Sequence, residues 1–174
     1  VGATIAIAGS VILRMLCGGQ TTTDHYAVPL IVAFLVAVLA SMAFGAFNGV
    51  LVAYFRIQPM IATLILFTAG RSIAAWINNN ELPIVNVNSF GYFGGYIPGV
   101  PIPTPFFIAL LCVVVIALVM KFTNLKLYTQ AVGINESSSR LNGLNPEFIK
   151  LISFVILGIC VAVVGLIKVS RLST

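Results

Sequence analysis

The sequence predicts an all-α fold, a polytopic transmembrane helical bundle with about five membrane-spanning segments. The chain is 60% hydrophobic and only 7% charged, and its mean hydropathy is +1.11, whereas a soluble domain is typically about 25% charged. The apolar residues occur in continuous runs, which favours helices over the alternating strands of a membrane barrel. Because backbone groups in lipid must be hydrogen-bonded within the protein, these runs are expected to be continuous helices.

Five apolar runs, separated by polar connections, approach or exceed the roughly 20 residues that a membrane-spanning helix requires. Pro59 precedes the third run and suits the first turn of a helix, where its missing N–H costs nothing. The second and last runs contain small residues spaced for close helix packing, including Gly45 with Gly49 and Gly158 with Gly165. The five runs cover residues 1–17, 28–55, 60–77, 106–120 and 151–169.

Lysine and arginine predict the orientation of these spans, because they concentrate in cytoplasmic connections. Connections 18–27 and 78–105 contain neither residue, whereas 121–150 contains four of the nine in the chain and 56–58 contains one. Alternating spans therefore put the first two connections outside the cell and the last two in the cytoplasm. Two cations at the end of the last run break this bias, since the alternation places Lys168 and Arg171 near the outer face.

The polar segment 121–150 predicts a short helix over the sequence ESSSRLN. Asn135 suits the N-cap, Glu136 suits the positive start of a helix, and Gly143 suits the left-handed position after its end. Glu136 and Arg140 are four residues apart, in the order that favours an ion pair. This helix either docks into a groove of a soluble cytoplasmic partner or is an ordinary connector that lies on the membrane surface.

The sequence lacks the residues that several other activities need. It has no GxxxxGK[ST] phosphate loop, so it does not bind ATP by that route. No predicted span contains a carboxylate, which argues against proton- or sodium-coupled transport. The pair Asp24–His25 is isolated in an outer connection, and a membrane-embedded transferase would need a cluster of such groups. No catalytic or metal-binding residues are predicted, and the few cations form no nucleic-acid patch.

Several stretches of the chain match one family in the same order: 1–3, 6–9, 48–52, 57–64, 70–71, 131–136, 140–145 and 170–172. They resemble the permeases of ABC sugar importers, the ribose, xylose and galactofuranose type grouped with the branched-chain amino-acid permeases. The sequence is most similar to the galactofuranose type at Gln58-Pro59 and at Ala131-Val-Gly133-Ile-Asn135. Ser138 and Ser139 depart from the family, which usually has paired alanines there. The resemblance covers about the middle half of a family member, so we expect a fragment of a larger permease.

The resemblance implies a single permease domain over 1–174 with a cytoplasmic coupling loop over 121–150. It implies a non-enzymatic, multi-pass protein of the bacterial inner membrane that imports a monosaccharide. The expected partners are a cytoplasmic ATP-binding subunit, a periplasmic sugar-binding protein, a second permease subunit and membrane lipid, with no nucleic acid. ATP would be bound by the partner subunit, so this chain is expected to hold no cofactor. The residues implied in ATPase coupling are Asn135, Glu136, Arg140 and Gly143.

The substrate pathway is predicted from polar residues near or inside the spans. Arg71 lies well inside the third run, where a charge costs roughly 2.5 kcal/mol or more, so it either faces a polar cavity or snorkels to an interface. Asn48, Gln58 and Thr63 either line the same polar seam or hydrogen-bond neighbouring helices. Other small polar solutes, such as a branched-chain amino acid or a nucleoside, remain alternatives. A zwitterion would favour more charges than Arg71 alone, so a sugar is preferred.

Overall fold

A computed structural model of the chain describes residues 1–18, 22–23, 27–80, 84–85, 94–95 and 102–172. In this part of the chain almost all regular structure is helical, which confirms the all-α prediction. The helices are α1 (Gly2–Leu16), α2 (Leu30–Ala53), α3 (Pro59–Ile77), α4 (Thr104–Phe122), α5 (Leu125–Ile134), α6 (Glu136–Leu141) and α7 (Pro146–Leu172), and the two short strands are β1 (Thr22–Thr23) and β2 (Ile84–Val85).

The five predicted apolar runs correspond to α1, α2, α3, α4 and α7. Four of them, with 24, 19, 19 and 27 residues, are long and apolar enough to cross a membrane, and α1, with 15 residues, is shorter. Pro59 occupies the first turn of α3, as predicted. The chain therefore folds as a polytopic membrane helical bundle.

Helices α2 and α7 make the most extensive contact in the bundle, and glycines let their backbones meet. A Cβ atom added at Gly45 would lie 2.7 Å from the backbone oxygen of Phe154, and one added at Gly158 would lie 2.7 Å from the backbone oxygen of Ser41. Real Cβ atoms do not approach other atoms so closely. The prediction of close helix packing from the small residues is therefore confirmed.

Helix α1 lies at the centre of the packing and contacts α2, α3 and α7. Its residues Ile12 and Leu16 are completely buried, and they form a core with Ala33 and Ala37 of α2. Towards the other end of α1, a Cβ atom at Gly70 of α3 would lie 2.7 Å from the Cβ atom of Ala3. Close approach of small residues thus attaches three helices to α1.

The connections group at two ends of the bundle in the way that the positive-inside bias predicts. Strand β1 pairs in parallel with β2, which joins connections 18–27 and 78–105. At the opposite end, Arg56 of the α2–α3 turn lines the same groove as Glu136 of α6. The predicted outer turn at Asp24–His25 and most of connection 78–105 lie outside the described residues.

Helix α4 stands apart from this bundle. None of its residues is buried, and within the described ranges its main contacts are with α5, the helix that follows it. A helix that is apolar all round is suited to lipid or to other apolar helices. In this chain α4 therefore presents its apolar surface outward.

We expect Gly158→Leu to destabilise the bundle, because its side chain would collide with the α2 backbone at Ser41. Overpacking of this kind costs typically about 1–3 kcal/mol, and more where the backbone cannot move. Thermal unfolding of the purified protein in detergent measures the effect. Gly133→Leu is the matched control, because no atom lies within 4 Å of a Cβ at Gly133. Equal unfolding temperatures for the two variants would show that the α2–α7 contact is not close-packed.

Candidate functional site

The end of the bundle that the positive-inside bias assigns to the cytoplasm contains a groove, here called the cytoplasmic groove. It has a volume of about 900 Å³ and lies between the α2–α3 turn, α6 and the start of α7. Its polar lining includes three cations, Arg56, Arg140 and Lys150, and the carboxylate of Glu136. Arg56 has a φ angle of 52°, in the left-handed region that residues other than glycine rarely adopt. The groove therefore combines a strained turn with a cluster of charges outside the membrane-spanning segments.

Helix α6 forms where the sequence predicts it, and its caps explain why. The side-chain oxygen of Asn135 accepts a hydrogen bond from the backbone N–H of Ser138 at 3.1 Å, as an N-cap does. The hydroxyl of Ser139 is buried and donates to the backbone oxygen of Asn135 at 2.9 Å. Gly143 follows the helix with a φ angle of 79°. The predicted N-cap and the predicted left-handed glycine are both confirmed.

The predicted ion pair within α6 is wrong. Glu136 instead pairs with Lys150, whose Nζ atom lies 2.7 Å from the Glu136 Oε2 atom, and Arg140 pairs with Glu147. Both partners, Glu147 and Lys150, belong to the first turns of α7. The turn after α6 reverses the chain, so that the start of α7 lies beside α6. Each ion pair thus joins α6 to α7. Glu136 and Arg140 do not pair with each other, because α7 places a residue of opposite charge closer to each of them.

These two ion pairs orient the short helix more than they stabilise it. Their side chains are between 19% and 50% exposed, and partly exposed pairs contribute only about 0–1 kcal/mol each. Two pairs between the same elements nevertheless restrict rotation of α6 about its own axis. The result is a short helix that is braced against the start of a membrane-spanning helix.

The charges around Glu136 also change its acidity. The hydrogen bond from Lys150 lowers the pKa of the Glu136 carboxyl, and the positive charges of Lys150, Arg140 and Arg56 lower it further, against a smaller opposing effect of desolvation. A lowered pKa means that Glu136 is ionised at neutral pH. The stabilisation by the pair is therefore present above the ordinary glutamate pKa and is lost as the pH falls through the lowered value.

The structure places the four residues predicted for a substrate pathway on α2 and at the start and middle of α3. Gln58 is exposed at the N-cap of α3 and lines the cytoplasmic groove. The Thr63 hydroxyl donates to the backbone oxygen of Pro59 in its own helix at 2.8 Å. Asn48, on α2, has a buried side-chain oxygen without a hydrogen-bond partner. Their roles in a pathway stay predictions.

Arg71 is exposed on α3, where its guanidinium carbon lies 5.9 Å from the centre of the Phe67 ring. Thr68, three residues before Arg71, is also exposed and is its neighbour on the helix surface, and the exposed Ser72 is in turn four residues after Thr68. The hydroxyl groups of both donate to backbone oxygens of α3 itself. This face of α3 is thus more polar than a purely lipid-facing surface, which agrees with Arg71 meeting a polar cavity or a partner.

Sequence reasoning missed Arg56 and Lys150, which line the cytoplasmic groove, and Glu147, which pairs with the groove residue Arg140. The pairs join residues 7 and 14 positions apart, across the turn that contains Gly143. An acid and a base precede this turn and another acid and base follow it. This charge pattern was a sequence signal for ion pairs across the turn. The position of Arg56 in the groove could not be predicted from the neighbouring sequence, since it depends on how α2 packs against α7.

These features define the class of protein: a polytopic α-helical membrane protein with a charged platform at its predicted cytoplasmic end. This cytoplasmic platform consists of α6 and the first turns of α7. Comparison with known families then identifies it further. The chain belongs to the family described as "Branched-chain amino acid transport system / permease component", whose model matches residues 1–174. The family and the four helices of spanning length place it in the inner membrane as a multi-pass transport component.

Curated relatives are sugar permeases by name. The chain is 34% identical to the galactofuranose transporter permease protein YtfT of Escherichia coli (strain K12), over 96% of this chain and 46% of the relative. It is 32% identical to the fructose import permease protein FruF of Bifidobacterium longum, over 95% and 45%. It is 34% identical to the ribose import permease protein RbsC of E. coli, over 83% and 46%.

The chain spans about half the length of these curated relatives. No solved structure matches it significantly. The family membership confirms the resemblance to sugar-importer permeases that the sequence motifs indicate. The expectation of a non-catalytic role agrees with a family of transport permease components.

We expect the carboxyl of Glu136 to titrate below the ordinary glutamate range, and Lys150→Met to raise its pKa by removing the hydrogen bond and the nearest charge. Carbon-13 NMR of the side-chain carboxyl in labelled protein measures this titration. Lys126→Met is the control, because Lys126 does not contribute to the pKa of Glu136. An unchanged titration in Lys150→Met would contradict the pairing between α6 and α7.

Proposed function

We propose that the chain is part of the permease subunit of an ABC importer that moves a monosaccharide across the inner membrane. A separate ATP-binding subunit supplies the energy and binds the ATP. The observation that carries this proposal is the capped helix α6, which is exposed at the cytoplasmic end and braced to α7 by two ion pairs. The names of the relatives, permeases for galactofuranose, fructose and ribose, support a sugar as the substrate.

The first step of the proposed mechanism is docking of α6 in a cleft of the ATP-binding subunit. The helix is suited to this because its outer surface is available: Glu136, Ser138 and Arg140 are exposed, whereas Ser139 faces the bundle. The coupling residues are Asn135 and Gly143, which set the ends of the helix, and Glu136 and Arg140, which attach it to α7. Residues 121–150 then form the cytoplasmic coupling loop of a single permease domain.

The second step is transmission of movement into the membrane. When the ATP-binding subunits close, they displace α6, and the pairs Glu136–Lys150 and Arg140–Glu147 pull on the first turns of α7. Helix α7 packs against α2 without intervening side chains at Gly45 and Gly158. Movement of α7 therefore reaches α2 directly, and α2 and α7 together contact α1. The bundle would tilt as a unit and open the pathway to alternate sides.

The remaining partners follow from the same class of importer. We propose a second permease subunit, which completes the pathway, and a periplasmic sugar-binding protein, which delivers the substrate at the outer end. Arg71 is proposed to face this pathway with Asn48, Gln58 and Thr63, because neutral hydrogen-bonding groups and one cation suit the hydroxyl groups of an uncharged sugar. The exposed polar face of α3 around Arg71 supports this assignment.

A second candidate substrate is another small polar solute, and the family description itself names branched-chain amino-acid transport. An amino acid carries a carboxylate and an ammonium group, and both need charged or strongly polar partners in the pathway. Uptake measured with D-ribose, D-fructose, D-galactose and leucine in parallel distinguishes the two candidates. Uptake of leucine alone would replace the sugar assignment.

We expect Glu136→Lys to reduce ATP-dependent sugar uptake by the full-length permease, expressed with its ATP-binding subunit, because a cation would then face Lys150. A loss of about two- to thirtyfold corresponds to the roughly 0.5–2 kcal/mol that coupling residues typically contribute. The double variant Glu136→Lys/Lys150→Glu restores an opposite-charge pair. Recovery of uptake in the double variant identifies the brace to α7 as the function of Glu136. Co-purification of the ATP-binding subunit that is equal in all variants, with unchanged uptake, would refute the coupling role of α6.

We expect Arg71→Ala to lower sugar uptake while assembly with the ATP-binding subunit stays intact, since the guanidinium would no longer hydrogen-bond the substrate. Uptake into membrane vesicles and co-purification measure the two effects separately. Arg71→Lys is the matched variant, because it keeps the charge and loses the planar donor group. Loss of assembly in Arg71→Ala would instead assign Arg71 a structural role.

A further inference from the structure

A second groove, of about 390 Å³, runs along α1 between α3 and α7 in the outer half of the bundle. Along α1 it extends from Gly2 to Leu13, and the eleven helical steps between these two residues rise about 17 Å. One leaflet contributes about 15 Å, half of the roughly 30 Å hydrocarbon core of a bilayer. The groove is therefore about as long as one leaflet is deep.

Much of the groove lining consists of small and apolar residues. These include Ile5, Ala6 and Gly9 of α1 and Ala74 of α3. None of these residues carries a charge or a side-chain hydrogen-bonding group. The part of the groove that they line is suited to a hydrocarbon chain.

The mouth of the groove, at the outer end, contains an unsatisfied polar side chain. Asn78, directly after α3, is only 8% exposed, and its side-chain oxygen has no hydrogen-bond partner. A buried acceptor without a donor is unfavourable and rare in folded proteins. Asn80 also lines the mouth and has a φ angle of 61°. The mouth therefore offers a free acceptor to a ligand that donates a hydrogen bond.

Lys168 of α7 lines the groove at the same end and is exposed. In the described part of the chain, the two ion pairs are formed by other cations, Arg140 and Lys150. Lys168 is also one of the two cations that break the positive-inside bias. An anionic group at the outer membrane interface would offset its charge and explain its position.

We propose that this groove binds one phospholipid of the outer leaflet of the inner membrane. An acyl chain lies along α1, the phosphate pairs with Lys168, and the headgroup donates a hydrogen bond to the side-chain oxygen of Asn78. A sugar would satisfy the mouth but leave the apolar part uncovered. A further apolar helix would cover that part but supply no anion for Lys168. The site is independent of which solute the permease carries.

Native mass spectrometry of the full-length protein, released from bilayers of equal palmitoyl-oleoyl phosphatidylethanolamine and phosphatidylcholine, tests the proposal. Both lipids carry the phosphate, but only ethanolamine donates a hydrogen bond. We expect one retained lipid and a preference for phosphatidylethanolamine of about fivefold, the factor that one typical hydrogen bond provides. Asn78→Leu removes the acceptor, so the lipid should stay bound and the preference should disappear.

Lys168→Met should reduce retention of both lipids by about fivefold or more, since it removes a charge-assisted hydrogen bond from the ammonium group to the phosphate. Lys126→Met, an exposed lysine at the cytoplasmic end, is the matched control and should retain lipid like the wild type. The wild-type preference is by itself a test if a variant does not assemble. The absence of that preference overturns the proposal, as does equal retention in the two lysine variants. Retention of no lipid would show that another helix covers the groove.

Discussion

The contact between the backbones of α2 and α7 is the interaction on which the rest of the structure depends. At Gly45 and Gly158 there is no room even for a methyl group, since a Cβ atom at either position would lie 2.7 Å from a backbone oxygen of the other helix. In lipid, apolar side chains gain little from leaving their surroundings, so helices associate through close van der Waals packing. Small residues maximise this packing, and α1 attaches to the pair by the same means at Gly165 and Ala8.

In the proposed mechanism, the same contact transmits movement of the cytoplasmic platform into the membrane helices. Exposed ion pairs contribute little stability, yet Glu136–Lys150 and Arg140–Glu147 connect a six-residue helix to a helix of 27 residues. Loosely packed side chains between the helices would rearrange when α7 moves, and α2 would stay in place. Directly packed backbones instead transmit the displacement of α7 to α2. The ion pairs at the surface and the close backbone packing in the membrane thus lie along one proposed path of movement.

Charge is distributed differently at the two ends of the bundle. At the cytoplasmic end, Glu136 and Glu147 are paired with Lys150 and Arg140 of the same chain. At the outer end, Lys168 has no such partner among the described carboxylates, and the buried oxygen of Asn78 lacks a donor. The outer groove therefore combines an exposed cation with an unsatisfied acceptor, the two features on which the proposed lipid site rests.

Composition and interactions within a few residues are sufficient to specify the class, the apolar helices and the ends of α6. Continuous apolar runs require helices in lipid, and Asn135 and Gly143 act on backbone groups beside them. The partners of Glu136 and Arg140 and the place of Arg56 are set instead by tertiary packing. Each of these depends on how distant segments pack, and helical periodicity specifies which face is apolar but not which neighbour covers it.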